Sequence, residues 1–170
     1  PHVIYGPGDG RFMPAILARA RAGKLTMGVG RREVLSDFTY IDNLIDALCL
    51  ADEALARDAA VGGQAYFVSN GDPMGFWAFV DLVLRELGLP ATRGRVPFAL
   101  AYVVAACAEW FRAVRGVAPG AEDGMTRYAV RYMCTHHYFD ISRARQVLGY
   151  APSVSTPEGV RRTLAEERRP

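Results

Sequence analysis

The segment Phe38-Thr39-Tyr40-Ile41-Asp42-Asn43-Leu44 decides how this chain folds. Its first four residues alternate in the manner of a short strand. Asp42 and Asn43 follow as a candidate N-cap, because short polar side chains accept hydrogen bonds from the free N–H groups of a first helical turn. From Leu44 to Ala56, apolar residues recur at helical spacing. The segment therefore predicts a strand that leads directly into a helix.

A second strand and helix follow downstream. Gln64 to Ser69 is a largely apolar run bounded by glycine-rich and proline-containing turn sequences, which predicts a strand. Phe76 to Leu87 has an amphipathic helical pattern that ends at Gly88. Strands that alternate with helices are typical of a parallel sheet covered by helices, so we predict an α/β fold.

The start of the chain, Pro1-His2-Val3-Ile4-Tyr5-Gly6-Pro7-Gly8-Asp9, has the pattern of a buried strand that runs into a glycine- and proline-rich loop. In an open α/β sheet, ligands bind beyond the carboxyl ends of the strands, so this loop is placed to line a pocket. Because no methionine precedes Pro1, we expect the chain to be the back half of a longer protein.

Turn and cap signals define the remaining elements. Asp140 or Ser142 can cap a helix that Gly149 ends. The other predicted elements are a helix at 11–22, two short strands at 24–27 and 31–35 around the turn Gly28-Val29-Gly30, a loop at 118–124, a helix at 143–148, and a last helix from Thr156. The form of 126–134 is left open.

The stretch from Val96 to Phe111 is apolar on nearly all sides. It is shorter than the span of about 20 residues that crosses a bilayer, so we do not expect it to cross a membrane. Three interpretations remain open: a core helix, a wall of an apolar substrate pocket, or a segment that lies on a bilayer with Trp110 and Phe111 at the interface.

Composition limits the classes of partner. The 170 residues are 51% hydrophobic and carry 20 basic against 18 acidic residues, which are mostly interspersed. This composition predicts one compact unit with a real core, and it shows no basic stripe for nucleic acid. We therefore expect no nucleic-acid partner.

The cysteines and histidines do not predict a metal site. Cys49, Cys107 and Cys134 are widely separated among apolar neighbours, so we interpret them as small buried hydrophobes in a reducing, cytoplasmic setting. The adjacent His136 and His137 would point to opposite faces of a strand, and no cysteine or second histidine pair completes a ligand set.

Three segments together resemble the carboxyl half of extended short-chain dehydrogenases, the epimerase/dehydratase superfamily, and most nearly the 3β-hydroxysteroid dehydrogenase branch. They are Pro1 to Asp9, Asp37 to Leu44, and Tyr138-Phe139-Asp140-Ile141-Ser142 with Leu148-Gly149-Tyr150-Ala151-Pro152. The resemblance implies the C-terminal part of a Rossmann-like doubly wound parallel sheet plus a small, mostly helical substrate-binding lobe. Residues 1–170 would form this half as a single unit, with the dinucleotide-binding half before Pro1.

The resemblance also implies an activity, namely NAD- or NADP-dependent hydride transfer between a nicotinamide and a secondary alcohol or ketone. The family's catalytic Tyr-x-x-x-Lys is not found here, because Lys24 is the only lysine and no tyrosine lies four positions before it. We therefore assign no catalytic residue and expect the 170 residues alone to be inactive. The choice between NAD and NADP is left open.

Residue by residue, the resemblance implies binding roles near the start of the chain. Pro1, His2 and Val3 would contact the cofactor, mainly through backbone atoms at the carboxamide; the alternative is that they are sheet core. Substrate would contact Tyr5, Gly6, Pro7, Gly8, Asp9 and Tyr40. For these residues the alternatives are an ordinary turn and a core aromatic. Asp42 and Asn43 are interpreted as a helix cap rather than as ligand contacts.

One departure bears on the substrate. Nucleotide-sugar epimerases and dehydratases usually carry an arginine directly before the Asp-Phe pair, where this chain has Ser36. A hydroxyl cannot replace a guanidinium toward a diphosphate, although Arg31 and Arg32 lie close enough in sequence to compensate. The expected substrate is a small hydrophobic alcohol or ketone, such as a 3β-hydroxysteroid, a sterol or a 3-oxo acid.

Two alternatives to this expectation stay open. The first is a nucleotide-sugar epimerase or dehydratase, and the second is a non-catalytic binding module of the same fold. As for partners, a homodimer and a peripheral contact with a membrane are both left open.

Overall fold

The computed structural model describes residues 1–31, 34–117 and 125–166. The chain forms two compact units. The first unit comprises Pro1–Pro14, Ser36–Met74 and His137–Pro170, and the second comprises Ala15–Leu35 and Gly75–His136. That the whole chain acts as one substrate-binding half stays a prediction.

Short strands alternate with longer helices along the chain. In chain order they are β1 Ile4–Tyr5, α1 Phe12–Arg21, β2 Gly28–Val29, β3 Leu35–Ser36, β4 Thr39–Tyr40, α2 Ile41–Arg57, β5 Met74–Gly75, α3 Phe76–Glu86, β6 Arg95–Val96, α4 Phe98–Val114, α5 Arg127–Met133 and α6 Thr156–Glu166. A short 3-10 turn lies at Ala59–Val61 and a π-helical turn at Ala144–Leu148.

The strands pair in parallel within each unit. In the first unit β1 pairs with β4, so that Tyr5 lies opposite Tyr40. In the second unit β2 pairs with β6, so that Val29 lies opposite Val96. Parallel pairs joined through helices confirm the predicted α/β class.

Helix α2 begins directly after β4, one turn earlier than the sequence indicates. Its N-cap residue is Tyr40, and no side chain caps it. The prediction that Asp42 and Asn43 cap this helix is therefore wrong. Asn43 is fully buried within α2, and its side-chain amide donates a hydrogen bond to the carbonyl of Val154. This side chain therefore makes a tertiary contact and does not cap the helix.

Four helices confirm their predictions. They are α1, α3, α6 and the part of α2 that begins at Leu44. Gly149 also lies where expected, at the end of the turn before it, with a left-handed φ of 70° that glycine adopts without strain. The segment left open at 126–134 forms α5, because the Thr126 hydroxyl accepts a hydrogen bond from the backbone N–H of Ala129.

Two strand predictions are wrong. Gly28 and Val29 were expected to form a turn between neighbouring strands, but they are themselves a strand whose partner, β6, lies far along the chain. Residues 64–69 form no ladder in the described part of the chain, and Phe67 is 54% exposed. Residues 32–33, in the second predicted hairpin strand, and the predicted loop at 118–124 lie outside the described residues.

Helix α4 contains most of the apolar stretch, and its large side chains are not buried. Only Ala101 and Ala105 are buried along it. The exposed apolar side chains are Phe98, Leu100, Val103, Val104, Trp110, Phe111 and Val114. The core-helix interpretation is therefore wrong for this face, and the other two interpretations stay open. None of the described helices has the length and apolar character needed to span a membrane.

The cysteines also differ from expectation. Cys49 and Cys107 are exposed, and only Cys134 is partly buried. Apolar neighbours in sequence did not predict burial here because Cys49 and Cys107 lie on the exposed faces of α2 and α4.

Candidate functional site

Thr39 holds the backbone of His2 and Val3 in place. Its hydroxyl donates to the carbonyl of His2 at 3.0 Å, and its backbone N–H donates to the carbonyl of Val3 at 3.0 Å. Val3 has a φ of 42°, a left-handed conformation that a β-branched residue rarely adopts. Strain of this kind concentrates at functional sites, which makes Val3 a candidate position.

The imidazole of His2 lies in a group of rings. It stacks on the ring of His137 with centroids 5.2 Å apart and meets Phe139 edge-on at 5.7 Å. Phe139 in turn stacks on Phe67 at 4.7 Å. We call His2, Phe67, His137 and Phe139 the ring cluster. Flat, partly exposed rings offer stacking surfaces to a planar ligand or to a protein partner.

The environment of His2 favours its neutral form. Burial is the main cause that lowers the pKa of His2 below its usual 6.5, and the neighbouring His137 lowers it further. At neutral pH the ring is therefore uncharged, and one of its nitrogens can accept a hydrogen bond.

Tyr5 and Tyr40 lie in the core of the first unit. Both are almost fully buried, and their ring centroids are 5.6 Å apart. The hydroxyl of Tyr5 donates to the carbonyl of Thr156 at 3.2 Å, and burial raises the pKa of Tyr5 well above its usual 10. Neither ring reaches an accessible surface in the structure, and their role as substrate contacts stays a prediction.

The loop after β1 serves the following helix. The carboxylate of Asp9 accepts hydrogen bonds from the backbone N–H groups of Arg11, Phe12 and Met13 at 2.8 to 3.0 Å. Asp9 therefore caps α1, whereas Pro7 and Gly8 are exposed. Gly6 packs against the side chain of Ile41 so closely that a Cβ would collide with it. That these four residues contact substrate stays a prediction.

Two buried asparagines join distant parts of the first unit. The Oδ1 atom of Asn70 accepts from the backbone N–H of Tyr40 at 2.9 Å and from the Nδ2 of Asn43 at 2.7 Å. The Nδ2 of Asn70 donates to the hydroxyls of Tyr5 and Thr156. The sequence indicated only a turn at Asn70, because local pattern does not show which side chains meet across the fold.

Ser36 and Asp37 lie buried before β4. Burial raises the pKa of Asp37, while its Oδ2 atom accepts a hydrogen bond from the backbone N–H of Phe139 at 2.8 Å. The hydroxyl of Ser36 has no hydrogen-bond partner within the described part of the chain. Position 36 therefore supplies no cation, and Arg32 lies outside the described residues.

The second unit contains an open cavity of about 520 Å³. It is lined by Gly30, Arg31, Val34, Pro97, Phe98, Arg131, Cys134 and Thr135. Burial raises the pKa of the Cys134 thiol, so this side chain is neutral at pH 7. The sequence pointed to Arg31 but not to Arg131 or Cys134, because the form of their segment was left open.

No metal site is found among residues 1–31, 34–117 and 125–166, where no three histidine, cysteine or acidic side chains gather. His136 and His137 have different surroundings. The Nδ1 of His136 accepts from the backbone N–H of Leu35 at 3.2 Å, whereas His137 belongs to the ring cluster.

Comparison with known proteins places these features in a family. Residues 1–100 match the model of the 3-beta hydroxysteroid dehydrogenase/isomerase family. A 2-alkyl-3-oxoalkanoate reductase of Stenotrophomonas maltophilia is 40% identical over 169 residues, which cover 97% of this chain and 49% of the relative. A decarboxylating sterol-4-alpha-carboxylate 3-dehydrogenase of Mus musculus is 34% identical over 164 residues, which cover 96% of this chain and 45% of the relative.

The fold is also found among solved structures. UDP-glucuronic acid 4-epimerase from Bacillus cereus, in complex with NAD, superposes with a TM-score of 0.62 at 17% identity, over 96% of this chain and 42% of the epimerase. The present chain spans about half the length of the curated relatives it matches. The family model matches more than half of its residues, and the relatives align over nearly all of them. The chain therefore belongs to the 3-beta hydroxysteroid dehydrogenase/isomerase family, a branch of the extended short-chain dehydrogenases.

Proposed function

We propose that this chain is the substrate-binding half of an NAD- or NADP-dependent oxidoreductase that interconverts a hydrophobic secondary alcohol and its ketone. The observation that carries the proposal is the 40% identity, along 97% of the chain, with a reductase of 2-alkyl-3-oxoalkanoates. The relative from Mus musculus is named for oxidation of a sterol carboxylate at its position 3. Both names describe an apolar body with an oxygen function at position 3.

The apolar surfaces of the second unit support such a substrate. The cavity of about 520 Å³ has the size of a small-molecule site, and Val34, Pro97 and Phe98 contribute apolar walls. The exposed apolar side chains of α4 add further apolar surface along that helix. A 3β-hydroxysteroid, a sterol or a 3-oxo acid would bury its hydrocarbon body against such surfaces.

The cofactor contact is proposed for Pro1, His2 and Val3. The carbonyls of His2 and Val3 are fixed by Thr39, and the neutral imidazole of His2 lies against other rings. These features suit a flat nicotinamide placed beside the first strand. When bound, the nicotinamide group supplies or accepts the hydride.

The proton in this chemistry is assigned to residues outside the 170. Lys24 is the only lysine of the chain and has no tyrosine four residues before it, so the chain lacks a Tyr-x-x-x-Lys pair. Tyr5 and Tyr40 are poor proton donors, since burial raises the pKa of each phenol. We therefore propose that this chain binds and selects substrate, while the acid–base step belongs to the remainder of a longer protein.

A nucleotide-sugar epimerase or dehydratase is the second candidate. The likeness in fold to UDP-glucuronic acid 4-epimerase motivates it. Ser36 opposes it, because a buried hydroxyl at this position cannot offer charge-assisted hydrogen bonds to a diphosphate. A non-catalytic module of the same fold is the third candidate, and it predicts substrate binding without turnover.

The location and assembly are proposed with the function. We propose a cytoplasmic protein in which the exposed apolar face of α4 contacts either a membrane surface or a second copy of the chain. Sedimentation with and without anionic lipid vesicles separates these two occupants of the face.

The test uses the complete protein that contains this chain. It is supplied with NAD⁺ or NADP⁺ and with panels of 3β-hydroxysteroids, sterols and UDP-sugars, and in the reverse direction with 2-alkyl-3-oxo acids. We expect a change in reduced-nicotinamide absorbance with the apolar substrates and none with the sugars. Turnover of UDP-sugars alone would support the second candidate. Oxidation of an alcohol by the isolated 170 residues would refute the division of labour proposed here.

A further inference from the structure

We propose that the cavity of the second unit binds the carboxylate of an apolar acid, and that Arg131 determines this specificity. The proposal rests on the function proposed above and narrows its substrate class to acids. Arg131 lines the cavity beside the apolar residues Val34, Pro97 and Phe98.

Close packing brings together two of the lining residues, Gly30 and Cys134. The N–H of Gly30 donates to the carbonyl of Val96 at 3.0 Å, which brings the end of β2 next to the start of α4. Gly30 has a φ of 77°, and a Cβ at this position would collide with the Sγ of Cys134. The end of α5 is therefore packed directly on the end of β2, and the cavity opens beside this contact.

Arg131 is oriented by its own helix and by α4. Its guanidinium lies over the ring of Tyr102, 5.4 Å from the centroid. The backbone carbonyl of Arg131 accepts hydrogen bonds from the backbone N–H of Cys134 at 3.0 Å and from the hydroxyl of Thr135 at 2.9 Å. A guanidinium that rests on an aromatic face loses less conformational freedom when it binds an anion.

Two arginines line the cavity, Arg31 and Arg131. Among the lining residues that the structure describes, none is an aspartate or a glutamate. Neither arginine forms an ion pair with any residue that the structure describes. A cation beside apolar walls favours a ligand that carries one negative group on a hydrocarbon body.

The carboxylate fits this requirement better than the alternatives do. An arginine fork binds a carboxylate through two parallel hydrogen bonds, which a neutral sterol cannot accept in the same way. A UDP-sugar would place a polar uridine and sugar against Val34, Pro97 and Phe98. The acid is therefore the ligand whose two ends match both the charges and the apolar walls.

The first experiment measures binding to the complete protein. The probes are dodecanoate and its methyl ester, which share the hydrocarbon chain and differ in charge. We expect Arg131→Gln to weaken dodecanoate binding by about tenfold or more and to change ester binding by less than about twofold. Arg131→Lys keeps the charge without the fork and should fall between the wild type and Arg131→Gln.

A matched control separates the site from general charge effects. Arg85 is an exposed arginine on α3 that does not line the cavity, so Arg85→Gln should leave both probes unaffected. Thermal melting checks that each variant is folded. If Arg131→Gln does not fold, the comparison of Arg131→Lys with the wild type decides. Equal losses for acid and ester, or no loss for either, would overturn the proposal.

The second experiment separates this proposal from the proposed function. The ratio of kcat/KM for a 2-alkyl-3-oxo acid over its methyl ester is measured in the wild type and in Arg131→Gln. We expect the preference for the acid to fall by about tenfold in the variant. Turnover of apolar ketones without any preference for the acid would refute the role of Arg131 and leave the oxidoreductase intact. Binding of dodecanoate that depends on Arg131, without turnover of any alcohol or ketone, would support the role of Arg131 and refute the oxidoreductase function.

Discussion

Replacement of Asn70 by alanine should weaken the first unit more than its small change in size indicates. Asn70 is 7% exposed, and its amide is bonded to the backbone of Tyr40 and to the side chains of Asn43, Tyr5 and Thr156. The substitution removes both the acceptor and the donor at the centre of this group. Its neighbours remain buried and cannot turn to water.

The expected loss follows from the groups left behind. The N–H of Tyr40 loses the acceptor that lay 2.9 Å away, and a buried donor without a partner costs about 1–3 kcal/mol. The Nδ2 of Asn43 loses one acceptor but keeps the carbonyl of Val154 at 2.7 Å, which makes its share smaller. We therefore expect Asn70→Ala to lower the free energy of unfolding by about 2–4 kcal/mol.

Chemical denaturation of the complete protein measures this loss, with far-ultraviolet circular dichroism as the signal. Gln64→Ala is the matched control, because Gln64 is an exposed amide whose Oε1 accepts from Arg143 at 2.7 Å. The control should change stability by no more than about 0.5 kcal/mol. A loss in Asn70→Ala no larger than that in Gln64→Ala would refute the view that the buried amide organises this unit.

Three further predictions concern close packing and protonation. Gly159→Ala should lower the free energy of unfolding by about 1–3 kcal/mol, although alanine favours helices. The reason is that the new Cβ would lie 2.7 Å from the hydroxyl of Tyr5 and 2.8 Å from the ring of Tyr40. An increase in stability, measured by chemical denaturation, would contradict this. The pKa of His2, measured by NMR titration, should lie below 6.5. The stability that neutral His2 contributes is therefore present above pH 6.5 and is lost as the pH falls through the folded-state pKa. His137→Gln should raise the pKa of His2 only in part, since burial is the larger cause. Burial raises the pKa of Asp37, so the stability that its protonated carboxyl contributes is present below pH 3.8 and is lost as the pH rises through the folded-state pKa. The variant Asp37→Asn should therefore be more stable than the wild type at pH 7, by a margin that shrinks toward pH 4. The opposite trend in pH-dependent unfolding would exclude a raised pKa for Asp37.

Local pattern predicted the helices well, because each depends on residues near in sequence. The apolar spacing of α3 and the proline in the first turn of α6 carry their own signals. The strand at Gly28–Val29 could not be predicted in this way. Its partner, Arg95–Val96, lies on the other side of several elements, and two glycines flanking a valine look locally like a turn.

The candidate site was predicted unevenly for the same reason. The resemblance pointed to Pro1, His2 and Val3, but only the fold brings Phe139 beside His2 and stacks Phe67 on Phe139. Hydrophobicity alone did not show that one face of α4 is exposed or that Cys107 lies on its exposed side. Arg131 lies in a short helix whose pattern was ambiguous, so no sequence signal connected it with Val34 or Phe98.

The division of the chain has a consequence for how such proteins diversify. The second unit consists of two stretches, Ala15–Leu35 and Gly75–His136, that interrupt the first unit in sequence. The bonds of Asn43 and Asn70 to Val154 and Thr156 tie the interrupted parts of the first unit to one another. Natural selection or a directed-evolution library can therefore change the two inserted stretches while the hydrogen-bonding side chains that join the parts of the first unit stay unchanged.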